Sequence, residues 1–172
     1  TAYAASQVEV SNCSITWATD EGLSASGPRF EGANLAEWRA NTSHGIRFHN
    51  NIVAEGLSNS THSKGEHSKG TLVHDNVRDA IVANSLYAHN RERNILFKGG
   101  AQGEMAGNVV YNAGKRFAHY NLHKNEWGEN AFAKGEVEVR GNVFLGGPST
   151  DPNAAAFMLG GDGRSEERRV GK

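Results

Sequence analysis

A dense group of charged residues follows a short apolar segment near the middle of the chain. Arg91, Glu92 and Arg93 come directly after residues 86–90, and Lys98 ends the next apolar run. Residues 62–124 carry nine Lys and Arg against five Asp and Glu, whereas the segments on either side are net acidic. This distribution predicts that an anionic ligand binds the middle of the chain. The alternative is a chance excess of solvated cations.

A polar segment before this group supplies two further basic residues. Residues 62–65 and 67–70 are near copies, His-Ser-Lys-Gly, and contribute Lys64 and Lys69. An acidic pair, Asp20-Glu21, is the first candidate cation ligand, with an ordinary acidic turn as the alternative. His62 and His67 lack an evident third ligand in the sequence, so we expect no zinc site.

A repeated phrase predicts the elements that position these residues. An Asn followed by apolar or strand-forming residues recurs at Asn51, Asn84, Asn108 and Asn142, with a weaker copy at Asn12. Asn tolerates the left-handed region and bonds neighbouring backbone, which suits the sharp turns of a solenoid. We therefore predict an all-β, right-handed parallel β-helix in which these four side chains stack in one line. Surface turns of a β-sandwich are the alternative.

The rest of the chain is predicted as excursions from this solenoid. Residues 22–44, with one helical turn around 35–38, and residues 56–70 are expected to be loops, and Cys13 a buried apolar residue. We expect residues 1–163 to be a β-helix fragment incomplete at both ends. The charged run 164–172 is expected to be a non-native tail.

Several motifs, in order along the chain, resemble the pectate lyases of polysaccharide lyase family one. Residues 14–21, SITWATDE, are similar to the family's "SFSWGTDE", and residues 88–94 are similar to its "AHNR-x-RNP". Residues 67–73 resemble the segment that holds its substrate-binding lysine. The likeness covers about residues 8–145. It departs at Ile95 and Lys98, where the family has Pro and Arg.

The resemblance implies a secreted enzyme that cleaves polygalacturonate or another pectin-type acidic glycan by β-elimination. It implies Arg93 as the base and Lys69 as its electrostatic partner, with Lys98, Arg91 and Lys64 binding substrate. It also implies Ca²⁺ at Asp20 and Glu21, although Ser11 and Asn12 stand where the family has the Asp and His of its "WIDH" motif, and Ser24 stands where it has a second calcium carboxylate. Because a guanidinium gives up its proton only at strongly alkaline pH, the reaction is expected to favour alkaline pH.

Three alternatives follow from the same residues. A Tyr–His pair at His119 and Tyr120 would be another base, as in other lyases. A non-catalytic β-helix that binds acidic glycan, such as an adhesin or a degenerate lyase, would need no base. A β-helix hydrolase would need two or three acidic residues in one cleft. In each case we expect a monomer with no nucleic-acid or membrane partner.

Overall fold

The computed structural model describes residues 1–130 and 134–161, so the predicted tail 164–172 lies outside the described residues. The chain is all-β and forms three parallel sheets. The six-stranded sheet contains β1 (Ala2–Tyr3), β4 (Glu21–Ser26), β7 (Lys69–Val73), β10 (Ile95–Lys98), β13 (Ala118–Leu122) and β16 (Phe157–Gly161). The second sheet contains β2 (Ser6–Ser11), β5 (His44–His49), β8 (Arg78–Ala83), β11 (Gln102–Ala106) and β14 (Glu136–Arg140). The third contains β3 (Ser14–Thr16), β6 (Ile52–Ala54), β9 (Leu86–Ala88), β12 (Val109–Tyr111) and β15 (Val143–Leu145).

Each strand pairs with the strand three places along the chain, and all of these pairings are parallel. The chain therefore visits the three sheets in turn before it returns to the first. Two parallel strands need a connection that returns the chain to the same end of their sheet. Here the two intervening strands, one in each of the other sheets, form that connection. The three stacked parallel sheets are consistent with the predicted β-helix.

A hydrogen-bonded ladder of polar side chains precedes the third sheet. Asn51, Asn108 and Asn142 occupy equivalent positions, and each Oδ1 accepts from the backbone N of Cys13, Ser85 and Asn108 respectively. These bonds are 3.0–3.1 Å long. Each such bond to a buried group contributes about 1 kcal/mol. The predicted stack is therefore present for three of the four asparagines.

Asn84 is the exception, and the prediction for it was wrong. Ser85 occupies the ladder position and its Oγ accepts from Asn51 N at 3.1 Å. Asn84 is exposed and has a φ of 49°, a conformation shared by the residues that precede the other ladder positions. Those residues are Asn12, Asn50, Gly107 and Gly141. Each turn thus uses one left-handed residue and then one ladder residue, and Asn suits both.

The core is built from side chains stacked in register between the sheets. Val73, Phe97 and Tyr120 are neighbours across three strands of the six-stranded sheet. On the second sheet Phe48, Val82 and Met105 stack in the same way. The third sheet adds the register series of Ile15, Val53, Tyr87, Val110 and Phe144. Because every coil adds to the same three columns, short strands still bury a continuous apolar core.

Two other expectations differ from the structure. The segment 22–44 is not all loop, because residues 22–26 belong to β4 and a seven-residue helix, α1, spans Leu35–Asn41. The Asn34 side chain accepts from Ala36 N and Glu37 N, which caps the helix and lengthens it beyond one turn. Cys13 is exposed rather than buried, because it lies at a turn before β3.

A short 3-10 helix follows β13 at Lys124–Glu126. Within residues 1–130 and 134–161, neither helix is long and apolar enough to cross a membrane.

Candidate functional site

Charged side chains meet where three neighbouring strands of the six-stranded sheet begin. Glu21, the first residue of β4, is in register with Lys69, the first residue of β7, and Lys69 pairs with Glu92 in the next coil. Adjacent strands lie about 4.8 Å apart, so the three residues form one short row. Arg93 follows Glu92, and Arg116 precedes β13 in the coil after that. We call Glu21, Lys69, Glu92, Arg93 and Arg116 the amino-end cluster.

The turn that carries Arg93 is fixed to β7 by backbone hydrogen bonds. Gly70 N donates to Glu92 O at 3.2 Å, and Thr71 N donates to Arg93 O at 2.7 Å. Arg93 has a φ of 53°, so it sits in the left-handed region at this corner. A Cβ at Gly70 would lie 2.7 Å from the Arg93 carbonyl oxygen, so the close approach requires glycine. The position of Arg93 is therefore set by the coil beneath it.

An asparagine side chain holds the same turn to the next coil. Asn94 Nδ2 donates to Arg116 O at 2.8 Å. Asn94 is fully buried, and its Oδ1 accepts from Asn90 Nδ2 at 3.3 Å. Asn90 in turn donates to Val53 O and accepts from Gly56 N. The backbones of Arg93 and Arg116 are thus joined by buried amides.

Each cation in the amino-end cluster has a carboxylate partner. Lys69 Nζ pairs with Glu92 Oε1, and Arg93 Nη1 pairs with Glu21 Oε1. Arg116 Nη1 lies 3.7 Å from Glu92 Oε2. The Lys69 side chain is only 5% exposed, whereas those of Arg93 and Arg116 are 27% and 41% exposed. A ligand from solution therefore meets the guanidinium groups, and Lys69 acts from behind Glu92.

The carboxylate between Lys69 and Arg116 is held ionised. Burial alone would raise the pKa of Glu92, but the hydrogen bond and charge of Lys69 outweigh it. Arg116 and Arg93 add to this effect, and the pKa of Glu92 falls below its ordinary value. Glu92 is thus a counter-charge for three cations rather than a proton donor.

A second group of side chains adjoins this cluster through Asp20, the residue before Glu21. His67 Nε2 lies 2.8 Å from Asp20 Oδ1, and His62 Nε2 lies 3.4 Å from Asp20 Oδ2. The two imidazole rings are stacked, with centroids 3.9 Å apart and an interplanar angle of 3°. The three ligand atoms lie within 4.8 Å of one another. We call Asp20, His62 and His67 the His-Asp triad.

Burial and charge act differently on the members of the triad. Burial lowers the pKa of His67, although the Asp20 carboxylate opposes this shift. Burial alone would raise the pKa of Asp20, but interaction with the Glu21 side chain and the charges of both histidines and Arg93 lower it overall. In the triad, the Asp20 carboxylate therefore lies next to the largely buried imidazole of His67.

The other residues expected to bind substrate lie outside these two groups. Lys98 ends β10, about 16 Å of strand away from Arg93, and its Nζ is 2.5 Å from Glu126 Oε1. Arg91 Nη1 is 2.5 Å from Glu66 Oε1 at the edge of the loop before β7. Lys64 is exposed in that loop, and its backbone N donates to His62 Nδ1. The structure thus brings Lys69 and Arg93 together and leaves Lys98 apart.

His119 and Tyr120 do not form a Tyr–His pair. They are consecutive residues of β13, so their side chains leave the strand on opposite faces. The Tyr120 hydroxyl donates to Gly99 O and accepts from Gly135 N, and burial raises its pKa. His119 is 1% exposed, and burial, with the charge of Arg116, lowers its pKa to about 4. Neither group is placed to take a proton from a ligand.

The donor atoms near Asp20 do not fit a calcium ion. Calcium takes six to eight oxygen ligands, whereas two of the three donors here are imidazole nitrogens. Glu21, the second expected ligand, is engaged by Arg93. The described residues therefore supply a nitrogen-rich site in place of an oxygen shell.

Three contacts of the site could not be predicted from the local sequence. Glu92 stands between two arginines in the chain, but its ion-pair partner is Lys69 in the preceding coil. Arg116 and the third ligand of the histidines come from other coils as well. For Glu92, the signal would have been a Lys and a Glu at equivalent positions of successive repeats.

No family model matches the chain, and searches of curated proteins and of solved structures find no match either.

Proposed function

We propose that the chain is a right-handed parallel β-helix that cleaves an acidic, uronate-containing polysaccharide by β-elimination, with Arg93 as the base. The observation that carries this proposal is the convergence of Lys69, Arg93 and Arg116 from three successive coils. We also propose that the protein is exported and monomeric, and that its substrate is a pectin-type polymer. Calcium remains a prediction of the resemblance, and the chemistry below uses only the chain's own residues.

The cluster has the charges that elimination from a uronate needs. Removal of the C5 proton places an electron pair next to the sugar carboxylate, so the developing dianion needs positive charge nearby. The electron pair then forms the C4=C5 double bond as the glycosidic oxygen leaves C4 and takes a proton from solvent. The exposed guanidinium of Arg116 is placed to bind the carboxylate, with Lys69 adding charge from beneath.

Arg93 is the candidate base because its side chain is partly exposed and its backbone is held by hydrogen bonds at the corner between Glu92 and Asn94. It accepts a proton only as neutral guanidine, so it must first lose one to solvent. A uronate bound to the cluster competes with Glu21 for Arg93 and opens this ion pair.

Hydrolysis is a poorer fit to the same site. A hydrolase needs one carboxyl group that stays protonated as the general acid. The pKa values of Glu92 and Asp20 are both lowered, so these groups are ionised at neutral pH. Glu21 and Glu92 instead serve as partners for cations, and Asp20 contacts the two histidines.

Binding of acidic glycan without cleavage is the second candidate function. The observation that favours it is the ion pair between Arg93 and Glu21, which holds the proposed base in its charged form. Such a protein would retain pectate on the same face of the six-stranded sheet and release no product.

The test measures the unsaturated product, which absorbs in the ultraviolet, with polygalacturonate as substrate. Arg93→Lys keeps the charge but removes the base, so we expect product formation to fall at least about 100-fold with little change in binding. Arg47→Lys is the matched control, because Arg47 is partly exposed and paired with Asp79 on the second sheet. Near-normal product formation by Arg93→Lys would refute the assignment. Retention of the polymer without product from the unaltered chain would favour the binding function.

A further inference from the structure

The His-Asp triad has the composition and spacing of a transition-metal site. We propose that Asp20, His62 and His67 bind one divalent first-row ion of the Zn²⁺ class. Imidazole nitrogen and carboxylate oxygen are the ligands that zinc takes at about 2.0–2.2 Å. In a tetrahedral site this bond length places ligand atoms about 3.3 Å apart. His67 Nε2 lies 2.8 Å from Asp20 Oδ1, and the three ligand atoms all lie within 4.8 Å of one another, so small side-chain movements bring them to that spacing.

The Asp20 carboxylate supplies a second, independent observation. Its Oδ1 is buried and lacks a well-directed hydrogen bond among the residues that the structure describes, although His67 Nε2 is close. A buried carboxylate oxygen without a hydrogen bond is costly to the fold. An ion bound between Oδ1 and the two Nε2 atoms would give this oxygen a partner. The present 2.8 Å contact between His67 Nε2 and Asp20 Oδ1 would then be replaced by one metal bond to each atom.

The fold holds two of the ligands firmly and the third less so. Asp20 directly precedes β4, and His67 is buried two residues before β7. His62 lies in the loop, where its Nδ1 accepts a hydrogen bond from Lys64 N at 3.2 Å. Because a metal on Nε2 leaves the proton of a neutral imidazole on Nδ1, the Lys64 N–H must turn away when the ion binds. His62 is therefore the ligand that closes the site.

Three protein ligands leave one coordination position open. The ion would fasten the loop before β7 to the start of β4, beside the Glu21–Arg93 pair. The site would select zinc over calcium because two donors are nitrogen. This inference does not depend on the elimination chemistry, since a protein that only binds glycan could hold the same ion.

The experiment titrates the untagged, metal-free chain with Zn²⁺ by calorimetry and counts bound metal after dialysis. We expect one zinc per chain, unaffected by millimolar Ca²⁺. Asp20→Asn and His62→Gln should each weaken zinc binding by at least about tenfold. His49→Gln is the matched control, because His49 contacts Glu9 at 3.1 Å on the second sheet and should bind as the unaltered chain does.

Far-ultraviolet circular dichroism of each variant checks that the fold is kept. Absence of saturable zinc binding would overturn the proposal, as would equal binding by Asp20→Asn, His62→Gln and His49→Gln. Displacement of zinc by equimolar Ca²⁺ would also overturn it, since that outcome requires an oxygen-rich site. Loss of the unsaturated product in any variant has no bearing on these readouts, so the two proposals fail separately.

Discussion

Two groups of ion pairs lie at opposite ends of the strands of the six-stranded sheet. The amino-end cluster and the His-Asp triad lie where β4, β7 and β10 begin. Where β7 and β10 end, Arg29, Asp75, Lys98, Glu126 and Trp127 form a second group, which we call the carboxyl-end cluster. The two groups contain the same kinds of charged residue. They differ in what surrounds the charges.

The carboxyl-end cluster holds loops in place. Arg29 Nε and Nη2 both lie 2.8 Å from Asp75 Oδ1, and the guanidinium stacks 5.5 Å from the Trp127 ring. Phe30 packs edge-on against Trp127, with centroids 5.4 Å apart. The Arg29 guanidinium is thus held by Asp75, by the Trp127 ring and by the backbone carbonyl of Glu126, which ties residues 29–30 to the 3-10 helix.

The amino-end cluster has no such aromatic cover within the described residues. In both clusters one glutamate contacts two cations: Glu92 contacts Lys69 and Arg116, and Glu126 contacts Lys98 and Arg29. The lysines differ in burial, because the Lys69 side chain is 5% exposed and that of Lys98 is 23% exposed. The two clusters therefore differ in burial and aromatic cover rather than in residue type.

The largest expected difference between the two clusters is in how far the loss of one glutamate destabilises the folded chain. Glu92→Gln leaves the buried Lys69 ammonium without a counter-charge, so we expect the free energy of unfolding to fall by about 3 kcal/mol. Glu126→Gln leaves Lys98, which is 23% exposed and stays hydrated, so the loss should be under about 1 kcal/mol. Urea denaturation measures both.

The double variant Lys69→Met with Glu92→Leu serves as the control, since apolar residues in place of a buried ion pair restore stability. Equal losses for Glu92→Gln and Glu126→Gln would show that the two clusters do not differ as described.

A smaller effect is expected on acid stability. The folded chain lowers the pKa of Glu92, chiefly because Lys69 outweighs the effect of burial. A lowered pKa contributes stability above the unfolded value, near pH 4.3, and this contribution is lost as pH falls through the folded value. At pH values below about 4.3 the melting temperature should therefore fall, by about 2–4 °C for each kcal/mol of folding stability that is lost.

Melting temperatures measured from pH 6 to pH 3 test this, and Glu92→Gln should show a shallower decline than the unaltered chain. Asp75 contributes in the same direction from the carboxyl-end cluster, because its pKa is lowered too. An unchanged slope in Glu92→Gln would show that Glu92 is not held ionised in the folded chain.

Much of the architecture could be predicted from sequence, because the repeat encodes it. The asparagines before the third sheet mark each coil, and three of the four named stack as expected. The failure at Asn84 has a physical reason. Asn suits both the left-handed position and the ladder position that follows it, and only the structure shows which of the two a given Asn occupies.

The site was harder to predict because its partners come from different coils. The nearness of Lys69 and Arg93 follows from the parallel pairing of β7 with β10, since residues at the start of paired parallel strands are neighbours. The ion pairs that both residues form with carboxylates could not be predicted in this way. Glu92 is adjacent to Arg93 in the sequence, yet it pairs with Lys69, and Arg93 pairs with Glu21. The third ligand of the His-Asp triad depends on how the loop before β7 folds back to Asp20, which no periodicity encodes.

The smallest expected effect concerns the pH dependence of product formation. Glu21 stabilises the charged guanidinium of Arg93 by direct ion pairing, so it opposes formation of the neutral base. Glu21→Gln removes that charge and keeps the shape of the side chain. Since a partly exposed ion pair is worth up to about 1 kcal/mol, the pH optimum should move to lower pH by up to about 0.7 unit.

Rates of formation of the unsaturated product between pH 7 and pH 11 measure this shift, and Glu104→Gln is the control. Glu104 pairs with Arg140 on the second sheet, so its loss removes an ion pair of similar kind without touching Arg93. A shift of the Glu21→Gln optimum to higher pH would contradict Arg93 as the base, because removing a negative charge can only ease the loss of its proton. In that case the amino-end cluster would bind the uronate, and the proton would go to a different group.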